Sequence, residues 1–70
     1  MRISARNQIN GTVLDVKKGA TTSHVRVDIG SGIVVTSSIT NESVDDLAIA
    51  AGVRVMVVIK ASDVMIAVGI

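Results

Sequence analysis

His24-Val25-Arg26-Val27-Asp28-Ile29 alternates a charged or polar residue with a β-branched one over six positions. Successive side chains of a strand point to opposite faces, so this stretch has a wet face of His24, Arg26 and Asp28 and a dry face of Val25, Val27 and Ile29. That is the pattern of a strand covering a core on one side only. Outward from it, 13 Val and 9 Ile in 70 residues carry the same preference through the chain. Strands are expected near residues 2–8, 10–17, 24–29, 33–39, 53–60 and 64–68, with turns at Lys18-Gly19-Ala20 and Gly30-Ser31-Gly32. The first two could be one long strand bent at Gly11. Between Asn41 and Gly52 the period changes: Val44, Leu47, Ala48 and Ala51 fall at i, i+3, i+4 and i+7, and Ser43 followed by Asp46 reads as a helix cap with an acidic third residue. The expectation is a mainly β fold, a small OB-type five-stranded β-barrel with one short helix, residues 1–70 forming a single domain.

A chain of 70 residues buries only about 60% of the surface its unfolded form exposes, so its stability needs a further source. There is no Cys for a disulfide, and His24 is the only soft metal ligand. Oligomerisation remains. The last strands support it: Val55, Val57 and Ile59 occupy one face against Met56 and Val58 on the other, and Val64, Ile66 and Val68 oppose Met65 and Ala67. Both faces are apolar, so the second is expected to be covered by another copy of the chain. The apolar runs Val55 to Ile59 and Val64 to Ala67 fall far short of the ~20 residues that span a bilayer. Arg2 and Arg6 lead into no apolar signal region, so a cytoplasmic protein without membrane attachment is expected, and the sequons at Asn10 and Asn41 are incidental.

Two places carry polar groups where greasy residues would serve a core better. In Ser4-Ala5-Arg6-Asn7-Gln8, an extended chain projects Ser4, Arg6 and Gln8 together, all of them hydrogen-bond donors. Read alone, this is the solvent face of an edge strand. Lys60, however, ends the strand Val55 to Ile59 on the side of Met56 and Val58, a side assigned above to an interface. A lysine there suits an anion site as a point charge.

The segments Ile3-Ser4-Ala5-Arg6-Asn7-Gln8-Ile9, Gly11-Thr12-Val13 and Val58-Ile59-Lys60-Ala61-Ser62-Asp63-Val64-Met65 resemble the molbindin, or Mop, family of small molybdate-binding proteins. The Gly30 and Gly32 turn and the start Ser43-Val44-x-x-Leu47 extend the resemblance over essentially the whole chain. It implies an OB-type barrel, a homo-oligomer that is a hexamer, and molybdate or tungstate bound where subunits meet; because the chain has no aromatic residue to stack on a pterin, no organic cofactor is expected, and no directly coordinated metal ion. Carried over by position, the oxyanion site falls on Ser4, Ala5, Arg6, Ser43, Lys60, Ala61 and Ser62. A second oxyanion site near a threefold axis falls on Gly19, Ala20, Thr21, Thr22 and Ser23, where no motif fixes the residues.

The residue types fit that chemistry on their own account. A molybdate dianion only accepts hydrogen bonds, so its site needs converging hydroxyls, backbone N–H groups and cations, and charge-assisted bonds from Arg6 and Lys60 are the strong ones. Ala5 and Ala61 let the backbone approach. If Ser43 capped the helix, free amides there would add to the site. Asp63, the nearest carboxylate, follows Ser62 and is expected on the opposite side unless a turn intervenes. The function expected is intracellular binding and storage of the oxyanion, without catalysis. A ligand-free assembly module predicts the same double apolar faces and gives no reason for Lys60. A nucleic-acid-binding OB barrel needs a positive groove and aromatic platforms, whereas the net charge is +1 and there is no Phe, Tyr or Trp. An enzyme needs a tuned acid, base or nucleophile, yet His24 lies on a wet face and Asp45-Asp46 suits the first turn of a helix.

Overall fold

The computed structural model describes residues 1–69. Four strands run β1 (Asn7–Lys18), β2 (Thr22–Gly30), β3 (Ile33–Thr40) and β4 (Arg54–Ile59), with one helix, α1 (Asn41–Asp46), between β3 and β4. All neighbours are antiparallel, in the order β3-β2-β1-β4. The mainly β reading and the single helix hold. The closed five-stranded barrel does not: the sheet is open, with β3 and β4 as its edges.

The dry face of β2 is the core. Val25 and Val27 are buried with Val13 from β1 and Val44 from α1, while His24, Arg26 and Asp28 are exposed. Val55 and Val57 of β4, Val16, Ile29, Ile39 and Ile49 pack around them, half-buried. On the wet face Arg26 donates through Nε and Nη2 to the Asp15 carboxylate, at 3.0 and 2.6 Å from Oδ2. That hydrogen bond, aided by the guanidinium charge, holds the Asp15 carboxyl below its ordinary value. The stabilisation is present above the ordinary carboxylate range and lost as pH falls through the lowered value, and it is small because both groups face water.

β1 is the single long strand of the alternative reading, but its irregularity sits at Leu14 rather than Gly11: the pairing to β2 slips between Val13 and Asp15. Gly11 has a different duty. A Cβ on it would lie 2.6 Å from Val27 Cγ1 and 2.8 Å from the Asp28 carbonyl oxygen, so β2 packs directly onto the bare backbone. Gly11→Ala is therefore expected to destabilise the protein by about 2 kcal/mol through overpacking, read as a lower melting temperature at fixed protein concentration.

The helix is shorter than its apolar stripe predicts. Thr40, not Ser43, is the cap: its Oγ1 accepts the Ser43 N–H at 3.1 Å and donates to Ser43 Oγ at 2.8 Å. At the other end the Ala48 N–H donates to the Asp45 carbonyl and the Ile49 N–H to that of Val44, with Ala48 at φ 52°. This is a Schellman ending with alanine where glycine is usual. It leaves Leu47 and Ala51 of the expected stripe exposed and turns Ile49 inward instead. Ala48→Gly should stabilise the fold by about 1 kcal/mol, since the left-handed conformation penalises a Cβ. Chemical denaturation measures it.

Residues 2–6 and 64–68 were expected as strands and are not. β1 begins where Asn7 pairs with Ile59, the last residue of β4, so the chain before Asn7 has no strand to lie against. After Ile59 a short 3-10 turn, Ala61–Asp63, redirects the chain. Val64, Met65, Ile66 and Val68 then lie open to solvent at 44, 91, 86 and 89% of their surface. Among the described residues, the one backbone hydrogen bond made by residues 64–69 runs from the Val64 amide to the Ala61 carbonyl.

Candidate functional site

The end of β4 and the chain entering β1 meet because those strands are antiparallel and pair in register from Asn7↔Ile59 to Thr12↔Arg54. Asn7 fastens the junction with its Nδ2, which donates to the Ile59 carbonyl at 3.2 Å. Just outside it, Ile3, Ser4, Ala5 and Arg6 form one wall of a recess and Val58, Lys60, Ala61, Ser62 and Asp63 the other, around an open volume of about 700 Å³. Two segments more than fifty residues apart thus bring together two cations, two hydroxyls and two alanines. Neither cation is spent elsewhere: among the described residues the ion pairs are Lys18 with Asp45 and Arg26 with Asp15. No group of three or more His, Asp or Glu placed to hold a metal ion is found among them.

Six of the seven residues expected at the principal site line this recess. Ser43 does not; it lies in the first turn of α1 with its N–H and hydroxyl engaged by Thr40. The free helix-end amides expected there are reduced accordingly. Asp63 follows the exception left open for it: a 3-10 turn intervenes and brings it to the recess wall beside Ser62. Alternation cannot foretell this, because its period of two fails as soon as the strand ends.

The turn between β1 and β2 borders a second recess of about 280 Å³, lined by Lys17, Lys18, Gly19, Thr22 and His24. Of the five residues expected for a second site it includes Gly19 and Thr22. Ser23 is completely buried and donates its hydroxyl to Asn41 Oδ1. Gly19 donates its N–H to the Thr22 carbonyl at 2.7 Å. Asn41 holds the turn from beneath: its Nδ2 donates to the carbonyls of Gly19 and Ala20 and its backbone N–H to that of Thr21. Lys18 is partnered by Asp45 at 2.8 Å, which leaves Lys17, His24 and the Thr22 hydroxyl as the recess's open polar side chains. Lys17 and His24 did not figure in the expected second site, although the pairing Lys17↔His24 follows from the turn at Gly19 and the two strands it joins.

Residues 3–66 match the TOBE domain family. Among curated proteins, molybdenum-pterin-binding protein 3 of Clostridium pasteurianum is 48% identical over 66 residues, which cover 94% of this chain and 97% of that protein. Among solved structures, MopII from Clostridium pasteurianum superposes with a TM-score of 0.89 at 42% identity, covering 96% of this chain and all of the other. A molybdate-binding protein from Sporomusa ovata superposes with a TM-score of 0.90 at 31% identity, covering 96% and 98%. With near-complete coverage in both directions, and with Ser4-Ala5-Arg6 facing Lys60-Ala61-Ser62 across one recess, the chain belongs to the TOBE-domain family and, within it, to the small Mop-type proteins.

Proposed function

We propose that this protein binds free tetrahedral oxyanions, molybdate or tungstate, inside the cell, as a homo-oligomer that stores or buffers them and carries out no catalysis. The observation that carries the reading is the convergence of Arg6, Lys60, Ser4 and Ser62 on one recess. Such a set gives an acceptor-only dianion charge-assisted and neutral donors from two directions. Relatives named for molybdenum-pterin or molybdate support the element. The recess has no aromatic residue, as the whole chain has none, so it offers a pterin ring no stacking face. Titration calorimetry with molybdate, tungstate, sulfate and phosphate tests the reading; a pterin extracted from the purified protein, or phosphate outcompeting molybdate, overturns it. Asp63 enters as a repulsive neighbour: Asp63→Asn should tighten molybdate binding about threefold, the scale of one exposed like-charge contact. The second recess, at Lys17, Gly19, Thr22 and His24, is a further candidate for the same ligands.

Self-association belongs to the same proposal. The chain exposes 5429 Å², where a folded monomer of its mass exposes about 4,100 Å². Its radius of gyration is 13.0 Å against about 11 Å for a compact chain of this length. Between the free edges of β3 and β4 lies an apolar gap of about 190 Å³ whose lining includes Val25, Val27, Ile39, Ile49, Val55 and Val57. Its volume is that of one or two apolar side chains. Residues 64–69 are apolar and lie outside any strand of their own chain, and in our reading those of a second copy dock there.

A further inference from the structure

Lys60–Asp63 is at once a wall of the anion recess and the only connection between β4 and the exposed segment 64–69. Its course is set by two backbone hydrogen bonds, from the Asp63 N–H to the Lys60 carbonyl at 2.9 Å and from the Val64 N–H to that of Ala61 at 3.3 Å. The flanking dihedrals are ordinary extended values, φ −61°, ψ 134° at Lys60 and φ −88°, ψ 121° at Val64. Beyond those two bonds, no backbone hydrogen bond among the described residues fixes the linkage. The opposite wall is also lightly fastened: Ser4–Arg6 lie outside β1, and the tie across them is the Gln8 Nε2 bond to the Ala5 carbonyl at 2.8 Å.

We infer that anion binding at this recess and seating of residues 64–69 on a second copy are one coupled equilibrium, the anion acting as a clamp on the hinge. The inference rests on the proposed function. An oxyanion bonded to Arg6 and Ser4 on one side and to Lys60 and Ser62 on the other ties the hinge to the start of β1. That fixes the direction in which the segment leaves β4, so part of the conformational freedom it would otherwise lose on docking is already lost. By reciprocity, a copy whose segment is seated holds the anion more tightly by the same factor.

The test is subunit exchange. Unlabelled and ¹⁵N-labelled protein are mixed, and the appearance of mixed oligomers is followed by native mass spectrometry with and without saturating molybdate, alongside calorimetry on the same samples. Molybdate is expected to slow exchange about tenfold, within the usual range of such couplings, and to protect the amides of residues 64–69 from hydrogen exchange. In Lys60→Ala the two exchange rates should coincide. Binding by calorimetry with an unchanged exchange rate in the wild-type protein overturns the coupling and leaves the oxyanion reading standing. Absence of binding, or a monomeric protein, overturns both.

Discussion

Ile66→Asp is expected to abolish assembly at micromolar concentration. In the single chain Ile66 is 86% exposed, so a carboxylate there costs the isolated subunit almost nothing. Seated between β3 and β4 of another copy, the same carboxylate would sit among valines and isoleucines with no partner, at a cost of about 4 kcal/mol, or roughly a thousandfold in the association constant. Light scattering or native mass spectrometry at about 10 μM, a concentration at which a thousandfold loss leaves little oligomer, reads the result. Ile66→Val should assemble as the wild type does. An Ile66→Asp variant that kept the wild-type oligomeric mass would mean that residues 64–69 stay outside the interface.

Lys60→Ala and Arg6→Ala should each weaken molybdate binding by about 2 kcal/mol, near 30-fold, with the oligomer intact. The two residues hold opposite walls of the recess and are not paired with any carboxylate among the described residues. Deleting one therefore removes a charge-assisted donor from the anion without orphaning another protein group. The double variant should bind too weakly to titrate. His24→Ala, facing the other recess, should leave this site unchanged. Wild-type affinity in both single variants would reduce Ser4-Ala5-Arg6 to a solvated chain end.

Where local rules decide the structure, the sequence was readable. The alternation around Val25 and Val27 located the core, and the donors at both ends of the chain do meet. What escaped was decided by partners. Residues 2–6 and 64–68 have strand-like composition, but a strand exists only where a neighbour accepts its hydrogen bonds, and within one chain none does. The helix ended early because Ala48 takes a left-handed conformation that carries no mark in the sequence without glycine. Thr40 capped it in place of Ser43 because β3 stays extended up to that residue. Asp63 moved into the recess through a three-residue turn too short to leave a periodic signal.

The side chain of Asn41 gives the two recesses opposite mechanical characters. By bonding the carbonyls of Gly19 and Ala20 and receiving the buried hydroxyl of Ser23, it welds the β1–β2 turn to the start of α1. Turn and helix then open to solvent as one cooperative unit, and their amides should share a single exchange free energy. The recess at Lys17 and His24 is thus built on a stiff footing, and an anion entering it finds the geometry already in place. The recess at Arg6 and Lys60 is built from two lightly fastened segments, and an anion there must order them as it binds. Calorimetry should separate the two: heat release offset by a large entropic penalty at the loose recess, and a smaller heat with little penalty at the stiff one.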